Sequence, residues 1–106
     1  MNKLMRILVF FDLPVKTKQE RRDAAHFRKF LLNDGYHMIQ YSVYARICNG
    51  SDSVALHENR LRAEIPPHGS IRMLVITEKQ YHSIRILLGT PTVYDEPQST
   101  DSLMVF

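Results

Sequence analysis

The sequence predicts an α+β fold of the ferredoxin-like, split βαβ kind: one antiparallel sheet with helices packed against it. Two observations carry this. Met5–Pro14, MRILVFFDLP, is a continuous apolar run cut off by an acid and a proline, the pattern of a buried strand rather than an edge. Downstream, the apolar periodicity switches in the order strand, helix, strand, strand, helix, strand.

Taken in order, the first strand places Met5, Ile7, Val9 and Phe11 on one face and Arg6, Leu8, Phe10 and Asp12 on the other. Both faces are apolar near the middle, so both need cover. Pro14 has no N–H to offer a ladder and ends the pairing. Thr17-Lys18-Gln19-Glu20 fits a capping box, and a helix runs from it to about Asp34, with Gly35 just past its end. Ala24, Phe27, Phe30 and Leu31 form its buried stripe. Tyr36–Ile47 is rich in aromatic and β-branched residues but long for one strand, so it splits near Gln40–Tyr41 into two. A turn at Asn49–Asp52 leads to a helix over about Ser53–Ile65, stopped by Pro66-Pro67, with Val54, Leu61 and Ile65 as a thin apolar stripe. Ser70–Thr77 is the last strand of the unit, Glu78–Tyr81 a short turn, and Ile84–Leu88 a further short strand.

The organisation read from this is a domain over 1–88, then a linker and C-terminal strand over 89–106. The polar stretch Gly89–Ser102 is followed by four apolar residues, Leu103–Phe106, which are expected to add to a sheet edge, that of a partner subunit included.

Composition narrows the function. The chain has 106 residues, 44% of them hydrophobic, which suits one domain with one core and excludes wholesale disorder. No apolar run approaches the roughly 20 residues a membrane span needs, and no signal-peptide pattern opens the chain, so a cytoplasmic protein with no membrane partner is expected. Cys48 is the single cysteine, which excludes an internal disulfide and reads as a small buried hydrophobe. Net charge is +3, and its placement says more than its size: Lys16, Lys18, Arg21, Arg22, Arg28 and Lys29 crowd the region just after Asp12.

The chemistry centres on Asp12. The five histidines form no HxH or HxxxH pair, so zinc is not expected. If helices cover one side of the sheet only, Leu8, Phe10, Tyr44, Leu74 and Ile76 line the other by alternation. That much exposed apolar surface marks an interface, here a homodimer through sheet faces. Stacked sheets lie about 10 Å apart, so two Asp12 carboxylates could share an ion. Mg²⁺ suits such a site, since it takes one or two carboxylates and keeps waters for phosphate oxygens, and it could activate water against a phosphodiester. Asp12 could instead do no more than close the turn at Pro14, and the residues alone leave both roles open. Ser42 and Arg72 alternate onto the Asp12 face as phosphate contacts, while Lys16 and Lys18 sit in the loop after the acid and can track a phosphate backbone. An RNA-recognition motif would use Phe10 and Tyr44 as stacking aromatics, but its glycine-containing signature is absent from SVYARI.

The opening MRILVFFDLP, then RKFLLNDGY, QYSVYARI, SIRMLVITEKQY and the short apolar C-terminus together resemble the small CRISPR-associated adaptation proteins that partner the CRISPR integrase. The TEKQY segment is similar to the variant found with type II systems. The resemblance implies a ferredoxin-like homodimer in which Asp12 faces its two-fold mate and binds a divalent metal, Mg²⁺ or another such as Mn²⁺. It implies a metal-dependent endonuclease acting on RNA or DNA. It also implies a central subunit that bridges integrase dimers and holds protospacer duplex DNA, and a C-terminal strand that crosses to the partner. On this reading Asp12 is the catalytic and metal residue, and Lys16, Lys18, Arg21, Arg22 and Arg72 bind nucleic acid. The scaffold role is favoured, with the nuclease site as an addition. A stand-alone toxin-type endoribonuclease of the same fold is the alternative.

Overall fold

A strand that is apolar on both sides belongs in the middle of a sheet, and β1 (Leu4–Asp12) lies there in the computed structural model, which describes residues 3–92 and 95. The chain continues through α1 (Lys18–Asn33), β2 (His37–Gln40), β3 (Val43–Asn49), α2 (Ser51–Arg62), β4 (Ser70–Thr77) and α3 (Glu78–His82). The four strands lie in the order β2-β3-β1-β4, every pair antiparallel, which is the ferredoxin-like α+β arrangement. Among the described residues no helix is long and apolar enough to cross a membrane.

One face of the sheet carries the main core. Ile7, Val9 and Phe11 of β1 meet Phe27 and Leu31 of α1, Tyr44 and Cys48 of β3 and Leu61 of α2, all buried. Phe11 and Phe27 meet edge to face at 5.2 Å, the arrangement that ring quadrupoles favour. The capping box forms as its spacing predicts: Glu20 N–H donates to Thr17 Oγ1 at 3.0 Å, and Thr17 N–H to Glu20 Oε1 at 2.8 Å.

The opposite face differs from the sequence expectation in two ways. Tyr44 is registered with Val9, so it belongs to the helix-covered core; Val43 and Ala45, opposite Phe10 and Leu8, stand on the other side. The register of β3 against β1 sets this phase, and a shift of one residue swaps the faces. With Phe10 and Tyr44 on opposite faces, the paired stacking aromatics of an RNA-recognition motif are lost. The second face is also not bare. Tyr81 of α3, with Ile39 and Ile76, closes over Leu8 and Ala45.

Arg6 explains why α3 lies there. Its side chain is fully buried and donates to Glu78 through Nε at 2.8 Å and Nη2 at 3.3 Å. Its guanidinium carbon lies 3.8 Å from the centroid of the Tyr81 ring. A buried cation needs a carboxylate, so the residue just after β4 folds back over the start of β1. What the sequence suggested as a plain turn is therefore a helix, begun by a second capping box between Thr77 and Gln80.

Two further expectations fail. Ile84–Leu88 forms no strand; Leu87 and Leu88 are almost fully exposed, and no described strand offers them a ladder partner. Helix α2 begins two residues earlier than expected and ends at Arg62, leaving Ile65 exposed. His57 takes the place in its buried stripe that an apolar residue would occupy. The expected C-terminal strand, Leu103–Phe106, lies outside the described residues.

His57 is accommodated by Asp34, the C-cap of α1. The ring Nδ1 lies 2.8 Å from Asp34 Oδ2, Arg60 Nη1 donates to Oδ1 at 2.9 Å, and Arg46 Nη1 donates to the Asp34 backbone carbonyl. Gly35 makes room: its φ is +92, and a Cβ there would collide with the Arg46 guanidinium. Burial alone would push the Asp34 carboxyl up, but the hydrogen bonds from His57 and Arg60 outweigh it and hold the group below its ordinary value of 3.8. A depressed folded-state pKa contributes stability that is complete above the unfolded value and is lost as pH falls through the folded one. Asp34→Asn should therefore cost roughly 1–3 kcal/mol near neutral pH. In urea unfolding the gap from wild type should shrink as pH falls below about 3.8; a gap constant across that range would refute the assignment.

Candidate metal and nucleic-acid site at the end of the first strand

With α3 covering the start of β1's outward face, the far end of that face stays open. Asp12 is the last residue of β1, registered with Ser70, and its side chain alternates with Phe10 and Leu8 onto this side. It is exposed and makes no hydrogen bond or ion pair to the described residues, so turn closure does not occupy its carboxylate. Phe10 beside it is 37% exposed and Leu74 is 48% exposed. Arg72, registered with Phe10, stands diagonally across from Asp12 on β4, exposed and within the reach of a long side chain.

Gly69 fixes the backbone under the acid. Its φ is +111, and a Cβ would stand 2.7 Å from the Asp12 carbonyl oxygen and 2.8 Å from Leu13 Cδ2. Only a residue without a side chain lets the turn before β4 lie against the end of β1. Ser42 holds the other flank. It occupies the β2–β3 turn with φ +63, and its carbonyl accepts the Phe11 N–H at 3.1 Å. Ser42 thus braces the strand end through its backbone; standing in a turn, it is not placed on the Asp12 face by strand alternation.

The loop from Leu13 to Thr17 carries the cations. Arg21 Nη1 donates to the carbonyls of Val15 at 3.1 Å and Lys16 at 2.9 Å, so this arginine holds the loop in shape and is only partly available to a ligand. Lys16, Lys18 and Arg22 are exposed, and their side chains make no hydrogen bond or ion pair to the described residues. At about 100° per residue, Lys18, Arg21, Arg22, Arg28 and Lys29 fall within roughly 120° of α1's circumference. They form one basic arc beside the apolar stripe.

Whether such residues suit a metal can be judged from the donors. Among the described residues no group of three His, Cys, Asp or Glu side chains comes together. A single unengaged carboxylate at a strand end fits a hard, largely hydrated cation of the Mg²⁺ type, which is content with one or two carboxylates, and does not fit a tetrahedral zinc cage.

Comparison with known proteins bears on the same residues. The family model for the CRISPR associated protein Cas2 matches residues 5–84. The chain belongs to that family. A protein named CRISPR-associated endoribonuclease Cas2 from Acidovorax ebreus (strain TPSY) is 50% identical over 102 residues, spanning 96% of this chain and all of the relative. Its namesake in Ligilactobacillus salivarius (strain UCC118) is 46% identical over 85 residues, 80% of this chain and 84% of the relative. That of Campylobacter jejuni is 39% identical over 105 residues, 99% of this chain and 73% of the relative. The segment matched by the Cas2 model includes Asp12, the basic arc of α1, Gly69 and Arg72.

Sequence reasoning placed Asp12, Arg72 and the basic loop together, and missed Gly69 and the double use of Arg21. A glycine two residues after Pro67 was the signal for a constrained turn ahead of β4. Gly69→Ala should lower stability by roughly 1–3 kcal/mol, because it adds a strained φ to a backbone collision. Urea unfolding measures this, and a variant as stable as wild type would show that the strand end tolerates displacement.

Proposed function

We propose that the chain is a CRISPR adaptation subunit that works as a homodimer, grips duplex DNA phosphates, and carries a divalent-metal site for phosphodiester hydrolysis. The observation that carries this reading is the position of Asp12: an unengaged carboxylate at the mouth of the uncovered half-face, with Arg72 and the Lys16–Lys18 loop around it. Membership of the Cas2 family, and relatives named as CRISPR-associated endoribonucleases, support it.

The dimer is formed by the half-face that α3 leaves open. Phe10 and Leu74 give it an apolar centre, and Asp12 and Arg72 lie at its polar end. A two-fold contact there is isologous, and with its axis passing beside the strand end it brings two Asp12 residues to one place. The two carboxylates would hold Mg²⁺ or Mn²⁺. When bound, the ion supplies Lewis acidity toward a phosphoryl oxygen and a more acidic water. Arg72 supplies planar donors for a phosphate, and Lys16 and Lys18 supply compact charges that draw the backbone along α1. None of these groups reads base edges, so binding is insensitive to sequence and falls steeply with salt. A subunit that holds duplex without reading it suits bridging between integrase dimers, and hydrolysis is then an added capacity of the same site.

Two measurements separate the roles. In a cleavage assay on labelled RNA and duplex DNA, both EDTA and Asp12→Asn should abolish hydrolysis; cleavage that survives Asp12→Asn would remove Asp12 from the reaction. In an integration assay with the integrase and labelled duplex, the double variant Lys16→Glu, Lys18→Glu should abolish spacer integration while Asp12→Ala leaves it intact. The reverse pattern would overturn the scaffold role.

A further inference from the structure

One pair of side chains near the site has no part in the reading above. Tyr41 lies in the β2–β3 turn, and its side chain is 76% exposed. A lone exposed aromatic is ordinary, but this ring is held in place. Arg28 Nη2 donates to the Tyr41 hydroxyl at 3.2 Å, and the guanidinium carbon lies 5.2 Å from the Tyr41 centroid. The same guanidinium lies 5.4 Å from the centroid of Phe11, so it is braced between a buried ring and an exposed one.

Position adds to this. The residue after Tyr41 is Ser42, whose carbonyl is bonded to the Phe11 N–H, so the turn is tied to the residue just before Asp12. Arg28 also belongs to the basic arc that Lys18, Arg21, Arg22 and Lys29 make along α1. Cations in a row with an oriented aromatic at the end are the two parts of a single-strand binding surface: cations follow phosphates, and a ring takes the face of a base.

We propose that Tyr41, oriented by Arg28, is a stacking platform for one unpaired nucleobase of a strand whose phosphates run along the basic arc of α1. This rests on the reading that the protein binds nucleic acid, and adds to it a contact for an unpaired base at the β2–β3 turn, where α1 meets the end of β1. A base within a duplex has both faces covered by its neighbours and cannot use the platform. The ring therefore distinguishes unpaired from paired nucleic acid where the lysines and arginines do not.

The test is fluorescence anisotropy of the full-length chain with a labelled single-stranded RNA and with the same strand annealed to its complement. Tyr41→Ala and Tyr41→Leu should each weaken single-strand binding by about ten-fold, while Tyr41→Phe and Tyr41→Trp keep it. Duplex binding should change by less than about two-fold in all four variants, whereas Lys18→Glu should weaken both. Leu keeps apolar bulk without a π face, so it stands in if the Ala variant fails to fold. Single-strand binding unchanged in Tyr41→Leu, or equal loss on single strand and duplex, would overturn the platform and leave the phosphate contacts standing. Failure of the wild-type chain to bind either form would overturn the nucleic-acid reading together with this one.

Discussion

A buried charge organises this molecule. Arg6 lies in the central strand with its side chain wholly removed from water, where an unpaired guanidinium would cost several kcal/mol. Glu78 answers it in a two-point contact, and Tyr81 covers it. Because Glu78 directly follows β4, the pair draws α3 over the first half of β1's outward face. The second half, from Phe10 to Asp12, is left open. One ion pair thus divides a face that alternation alone would treat as uniform into a closed end and an open end.

The open end is built by backbone as much as by side chains. Gly69 lets the turn before β4 press against the Asp12 carbonyl, and Ser42 accepts the N–H of the preceding residue. Arg21 spends hydrogen bonds on the loop that carries Lys16. The backbone that carries Asp12, Lys16 and the Tyr41 turn is therefore held by these contacts, and under the proposed function that lowers the ordering cost of binding. A basic arc on a helix that starts at the same end of the sheet extends that surface.

Much of this was legible in the residues. The apolar run with its terminal acid and proline gave β1 and Asp12, the capping-box spacing gave α1, and Ser70–Thr77 was bounded correctly at both ends. What stayed hidden was polar burial. His57 reads as a break in the stripe of α2, yet it is buried because Asp34, 23 positions earlier in the chain, meets its ring. Arg6 reads as a strand-end charge, and only its distant partner at Glu78 makes it core. Tyr44 was assigned to the wrong face because alternation within β3 does not say which face its even-numbered residues take; the register against β1, with Val9 opposite Tyr44, decides it, and an error of one residue carries along the whole strand. Local pattern reports periodicity; it does not report long-range pairs between polar groups.

The central claim is that Asp12 acts as half of a pair. It is tested most directly by exchanging subunits between wild-type and Asp12→Asn protein at equal amounts and measuring metal-dependent cleavage per total dimer. If both carboxylates are needed, only the wild-type pairs work, and activity should fall to about one quarter of the undiluted value. A fall to about one half would show that each Asp12 works alone, and the shared site would be wrong.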